Sequence, residues 1–391
     1  MTAPELPFTR TCPFAPPAEH VRLREEEPVA RVTLSTGREV WALSRHADIR
    51  TMLTDPRFST DRRHPGHPFH APDLPRLERS RPSLIELDPP DHGPARRAVT
   101  GEFTVRRVAA LGPRIQQVVD EHVDALLAGP RPVDLVQALA LPVPSLIICD
   151  LLGVPYTDHD FFQDRTARML RRTATNEQRF AAAQDLQRYL LDLVSGKAAT
   201  PGDDLLSRQL ARGGDLEDVV SLGFLLLVAG HETTANMISL GVLSLLEHPD
   251  QLAAIRADPT LTPKAVEELL RYFTIAELVV ARVAVTDVEI GGVLIRAGEG
   301  VVTLGNAANR DPAAFPDGDR LDLTRGGRHH LSFGFGVHQC LGQNLARLEL
   351  QIVFDTLLAR VPGLRLATPV DRLPFKDDGA VYGLYELPVT W

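Results

Sequence analysis

One cysteine, Cys340, closes a glycine-rich stretch that reads Ser332-Phe333-Gly334-Phe335-Gly336-Val337-His338-Gln339-Cys340-Leu341-Gly342. An apolar-periodic segment follows at once, from Leu341 to about Val361, with Leu341, Leu345, Leu348, Ile352 and Leu357 at roughly helical spacing. The pattern predicts a helix with Cys340 at its N-terminus, where unpaired N–H groups and the positive end of the dipole favour a thiolate. Gly334, Gly336 and Gly342 lack a Cβ and let the backbone turn tightly and approach something flat and bulky. A soft anionic ligand on such a loop points to haem iron. The bland alternative is a buried, inert cysteine. Two sharper rivals fail. A dinucleotide-binding GxGxxG would need a third glycine where Gln339 stands, and Cys12, Cys149 and Cys340 lack the close spacing of a zinc site.

Ala229-Gly230-His231-Glu232-Thr233-Thr234 interrupts an apolar helical run with a glycine, an acid and two β-branched hydroxyls. Gly costs about 1 kcal/mol relative to Ala in a helix. Thr233 can bond back to the carbonyl of Ala229 and bend the helix, opening a groove with a polar lining. His231-Glu232 starts a zinc-protease HExxH pattern, but Ala235 occupies the second ligand position. Leu225, Leu226 and Ala229 share a helical face with Thr233 and are candidates for an apolar wall beside a substrate, or equally plain core. Farther upstream, Asp88-Pro89-Pro90-Asp91-His92 precedes Arg96. On a helix beginning near Asp91, His92 and Arg96 lie on one face and could hold an anion, the alternative being a solvated face. Glu268 and Arg271 can pair at i,i+3 on another helix. His64, His67 and His70 lie in a Pro-rich loop; metal binding is conceivable there, but solvated histidines are the preferred reading.

Phe333-Gly334-x-Gly336-x-His338-x-Cys340-x-Gly342, followed by Leu345-Ala346-Arg347, resembles the haem-ligand signature of the cytochrome P-450 family. Asp88-Pro89-Pro90-x-His92-x-x-x-Arg96, Ala229-Gly230-x-Glu232-Thr233 and Glu268-x-x-Arg271 resemble the family's other three diagnostic elements, in the expected order. The resemblance spans nearly the whole chain and is closest to the soluble bacterial members. It implies a haem-thiolate monooxygenase with haem b ligated by Cys340 and contacted by Phe333, Gly334, Gly342 and Ala229. It further implies that His92, Arg96, Arg282 and His338 neutralise the propionates, and that Glu232 and Thr233 relay protons. Glu268, Arg271 and Arg320 form a structural network behind the cofactor; Gly318 stands where the family often has Pro before the Asp-Arg pair. The implied substrate is an apolar organic molecule, a macrolide, polyene or peptide or a xenobiotic, lined by Leu225, Leu226, Ala229, Leu278, Val279, Val381 and Tyr382. Electrons would come from NAD(P)H through a ferredoxin reductase and a ferredoxin, docked near Cys340 on Arg97, Arg106, Arg107 and Arg347. Rival readings on the same scaffold are an oxidative-coupling or peroxide-using haem-thiolate enzyme and, less favoured, a non-enzymatic haem sensor.

The elements that must position these residues form a mainly α chain with a smaller β region. Residues 112–247 read as helices, including one of very apolar composition broken by Pro142 and Pro144 and one long helix from Asp215 to Glu247. Strands are expected at 30–43 as a hairpin, at 278–284, and at 288–295 around a Gly291-Gly292 turn; residues 1–20 read as an extended arm and the tail from Leu373 as a hairpin. The 391 residues suit one domain. A net charge of −9 argues against nucleic acid. No apolar run is long enough to span a bilayer, the N-terminus lacks a signal-peptide core, and three scattered cysteines make no disulfide framework. The reading is a cytoplasmic monomer.

Overall fold

The computed structural model describes residues 3–69, 82–276 and 280–391. They divide into two compact units, one gathering 3–69, 85–94, 267–276 and 280–341, the other 82–84, 95–266 and 342–391.

The first unit is built on a six-stranded sheet. Its order is Glu5–Leu6, Val29–Leu34, Glu39–Leu43, Gly300–Thr303, Ala281–Ala284 and Phe58–Ser59. The expected hairpin forms its centre, with Val32 opposite Val40 and Gly37 in the left-handed region at φ 77° where the chain turns. The supposed arm supplies an edge strand, parallel to Val29–Leu34, and is followed by a helix, Ala18–Glu26. Val288–Ile290 and Val293–Ile295 pair around the two-glycine turn as expected. The strand expected from 278 is observed at Ala281–Ala284. Val29, Leu43, Ile49, Met52, Phe58 and Ile295 pack one face of the core.

Helices dominate the second unit. Gly112–Ala128 buries Ile115, Val118, Val119, Val123 and Leu126, its apolar stripe. The apolar segment after it is interrupted as its prolines require, with a π turn at Val136–Ala140 and then a helix Pro142–Leu152 that has Pro142 in its first turn. Gly153, left-handed at φ 64°, ends it. The long helix runs Leu216–Glu247 without a break, capped by the Asp215 side chain, which accepts from the Glu217 N–H. Thr233 does bond back to Ala229, but the ladder is not opened enough to interrupt the helix. Gly230 has a packing reason: a Cβ there would lie 2.8 Å from Ile148 on helix Pro142–Leu152. Gln343–Arg360 is the helix after the cysteine loop, starting two residues later than the periodicity suggested. Among the described residues no helix is long and apolar enough to cross a membrane.

Candidate active site

The first unit holds the cysteine loop. Gly334 and Gly336 are both left-handed, at φ 68° and 73°. A Cβ on Gly336 would also meet the Leu53 carbonyl at 2.7 Å, so glycine is required there on two counts. The Gly334 N–H donates to the Leu331 carbonyl, a 3-10 turn carries Gly336–His338, and the Cys340 N–H donates to the Phe333 carbonyl at 2.8 Å. That bond ties the two ends of the loop together and leaves the Cys340 side chain exposed. Gly342 differs from the other two: its φ is ordinary and the space around it is open.

Cationic groups gather in the same unit. The ring of His338 lies 4.1 Å from that of His92, which is buried at the start of helix His92–Thr100. Asp88 pins the turn before that helix by accepting from the Thr60 N–H at 2.9 Å and from the hydroxyls of Ser59 and Thr60. Arg282 faces Val301 in the sheet and is buried. Among the described residues its hydrogen bond goes to the Ala281 carbonyl, not to a carboxylate. Burial pulls its pKa down to about 10, with Asp88 acting across space in the opposite sense. His67, read from the sequence as a solvated loop histidine, is instead buried, and that burial together with Arg62 and Arg282 pushes it down to about 3. Residues 70–81, with His70, lie outside the described residues, as do Leu278 and Val279.

Behind the loop, Arg271 and Glu268 form a fully buried bidentate pair, Nε to Oε2 at 2.7 Å and Nη2 to Oε1 at 2.8 Å. Arg271 also donates to the carbonyls of Asn309, Gly318 and Arg320. Arg320 therefore joins through its backbone while its side chain is exposed; the arginine side chain that reaches Glu268 is Arg325, at 3.2 Å. Gly318 is needed where it stands, because a Cβ would come 2.9 Å from the Arg310 backbone.

The second unit holds the long helix. Ala229 is exposed and Thr233 half-buried, one turn apart, whereas Thr234 to Leu245 are buried throughout. Leu226 is buried and Leu225 half-buried on the neighbouring turn. The Thr233 hydroxyl donates to the Ala229 carbonyl at 2.9 Å. Glu232 points into a cavity of about 160 Å³ lined by Gln137, Gln163, His231, Val381 and Tyr385 among others, and its Oε1 accepts from Lys376 Nζ at 3.0 Å. Of the two tail residues, Val381 lines this cavity; Tyr382 is buried and stacks on Phe375. Arg96, half-buried, stands one turn after His92.

These residues fit a haem. In the first unit an accessible thiol ends a loop whose glycines clear the backbone, and the same unit holds two neighbouring imidazoles and a buried guanidinium; in the second unit a largely buried helix has an exposed Ala229 one turn from the Thr233 hydroxyl. Sequence reading missed Asp88, Arg325 and Lys376. Asp88 sits inside a motif already noticed and its cap-like position was a usable signal; Arg325 and Lys376 act over distances that periodicity does not reach.

A family model described as Cytochrome P450 matches residues 202–361. Pentalenic acid synthase from Streptomyces avermitilis is 50% identical over 98% of this chain and 96% of its own. Cytochrome P450 MoxA from Nonomuraea recticatena (CYP105) is 58% identical over 99% of this chain and 98% of its own, with a TM-score of 0.90. CYP105P1 in complex with filipin I is 46% identical over 100% of this chain and 99% of its own, with a TM-score of 0.94.

Proposed function

The chain belongs to the cytochrome P450 family and is a haem-dependent monooxygenase, and from that premise we propose how its own residues run the reaction. Haem iron held by a thiolate would supply the chemistry of dioxygen activation and of oxygen transfer to an organic substrate. Cys340 is the ligand. His92, Arg96, Arg282 and His338 bind the two propionates, since buried carboxylates are costly without cationic hydrogen-bond donors. Phe333, Gly334, Gly342 and Ala229 would contact the haem. Thr233 holds a proton at Oγ1 and Glu232 supplies the next one. The acid–alcohol pair supports dioxygen activation over a peroxide-only or coupling route.

The substrate is an apolar secondary metabolite, hydroxylated or epoxidised at a carbon that positioning selects. Pentalenic acid synthase and the filipin I complex of CYP105P1 support that class. Leu225 and Leu226 form its apolar wall. Electrons come from NAD(P)H through a ferredoxin reductase and a ferredoxin. The chain acts as one catalytic domain.

The observation that carries this reading is the exposed Cys340 thiol, tied by the bond from its own N–H to Phe333 in the unit that also gathers His92, His338 and Arg282. The test is the absorption spectrum of the reduced protein under carbon monoxide. Wild type should give the strongly red-shifted Soret band of thiolate ligation, and Cys340→Ser should lose it. A histidine-type band in freshly folded wild type sinks the assignment.

A further inference from the structure

Three of the chain's 42 basic residues are lysine: Lys197, Lys264 and Lys376. Lys197 is buried against Asp204 at 2.8 Å, and Lys264 is exposed. Lys376 is the remaining one, and its partner is the acid of the proton pair. The Lys376 Nζ to Glu232 Oε1 distance is 3.0 Å, with the side chains 14% and 12% exposed. An arginine would clamp a carboxylate with two parallel bonds; a lysine makes a single point contact that breaks more readily.

The tail hairpin sets this lysine in place. The Lys376 N–H donates to the Gly383 carbonyl and the Tyr385 N–H to the Pro374 carbonyl, both at 2.9 Å. The turn is tied down in its own unit: the Ala380 N–H donates to the Leu170 carbonyl, and Asp378 accepts from the Thr173 and Tyr385 hydroxyls at 3.0 and 2.6 Å. Lys376 and Glu232 both line the cavity of about 160 Å³; its lining is mostly apolar, with Val136, Leu141 and Leu170, but Gln137, Gln163, Arg171, Asn236 and Tyr385 offer polar groups that can hold water. At roughly 10–15 Å³ per water centre it has room for several.

We infer that Lys376 is a positioning residue for proton supply, holding the Glu232 carboxylate over this cavity and releasing it to the Thr233 side of the helix. The inference rests on the assignment of Glu232 above. In one cycle Glu232 takes a proton from a cavity water, whose hydroxide is neutralised by bulk solvent. Glu232 then gives that proton to the Thr233 hydroxyl as the hydroxyl passes its own to the dioxygen being reduced, and the carboxylate returns to Lys376. The cavity is thus the water inlet of the relay.

The test uses the holoprotein labelled with ¹⁵N-lysine, which gives three ammonium signals, that of Lys376 identified by its loss in Lys376→Met. Its protons should exchange with water about tenfold more slowly than those of Lys264, and Glu232→Gln should remove the difference. Alongside, NAD(P)H consumption is followed with a surrogate ferredoxin and reductase in H₂O and D₂O, which requires no known substrate. Lys376→Met should slow consumption about tenfold and raise the solvent isotope effect about twofold, and Lys376→Arg, whose two-bond clamp releases the carboxylate less readily, should recover only part of the rate. Lys376 exchanging as fast as Lys264, or Lys376→Met consuming like wild type while Glu232→Gln is slow, overturns the role of Lys376 and leaves the relay standing. Unchanged consumption in Glu232→Gln removes the relay itself.

Discussion

Glu268 and Glu349 are both buried and are accommodated in different ways. Glu268 is met by several donors: Arg271 forks onto it, and the Asp322 N–H and Arg325 also donate. Glu349, on helix Gln343–Arg360, has the Thr234 hydroxyl as its donor, and burial pushes its pKa up to about 8 against the smaller opposing pull of that bond. Below its ordinary value of 4.5 the carboxyl is protonated in folded and unfolded chain alike. Between there and about 8 the unfolded chain gives up a proton that the folded one keeps, so stability falls as pH rises through that window. At roughly 1.4 kcal/mol per pH unit, Glu349→Gln should gain up to about 3 kcal/mol at pH 7 and nothing near pH 4, because Gln keeps an acceptor for Thr234 without the ionisation. Urea midpoints of the two proteins across that range check it; parallel curves would exclude a raised Glu349. The sequence made Glu268 legible through its i,i+3 arginine. Glu349 was hidden, since it lies beside the Leu345, Leu348 and Ile352 stripe and nothing local distinguishes an inward glutamate from a solvated one.

At the scale of elements, what was legible followed local rules. The hairpins at 29–43 and 288–295 carried turn glycines between apolar strands, and the long helix carried its cap and its apolar run. His248-Pro249 was read only as a stop, yet Pro249 also begins helix Pro249–Ala257, the position where a missing N–H costs nothing. The seat of the tail hairpin on the long helix was not legible, because it depends on an absent side chain. A Cβ on Gly383 would fall 2.0 Å from Asn236 Oδ1 and 2.8 Å from Asn236 Cβ, one turn beyond Glu232. Gly383→Ala should therefore lift the hairpin, costing about 2 kcal/mol, the usual scale of overpacking. Adding Asn236→Ala should recover most of that, a coupling readable from a double-mutant cycle in urea. Additive losses would mean that Gly383 serves the hairpin's own turn and not its contact with the helix.

For the whole molecule, the motifs singled out Cys340 and its neighbours as the proposed haem site, but long-range partners came only from the fold: Arg325 in place of the Arg320 side chain, and Lys376 on Glu232. The same holds for charge. A total of −9 says little about where an acidic ferredoxin would dock. In the second unit Arg97, Arg106 and Arg107 are exposed, and the buried carboxylate of Glu102 gathers Arg107, Arg208 and Arg212 at 3.0 to 3.3 Å. Asp203 also accepts from Arg208 at 2.8 Å, so three arginines meet two carboxylates and still leave a surplus of positive charge. Asn344 donates to the Phe103 carbonyl at 3.1 Å, which brings this cluster beside the start of the helix that follows Cys340. If an acidic ferredoxin is the electron donor, such a patch would steer it to this face, and steering of this kind weakens as salt shortens the Debye length to about 8 Å at physiological ionic strength. Ferredoxin-supported NAD(P)H consumption should therefore show a kcat/KM that falls about tenfold from low to physiological salt, mostly through KM. Arg106→Glu, which touches no ion pair of the cluster, should lower kcat/KM about tenfold at low salt and flatten the salt dependence, with the carbon monoxide spectrum unchanged. A salt-independent kcat/KM, or an Arg106→Glu protein that takes electrons like wild type, would place the docking surface away from these arginines.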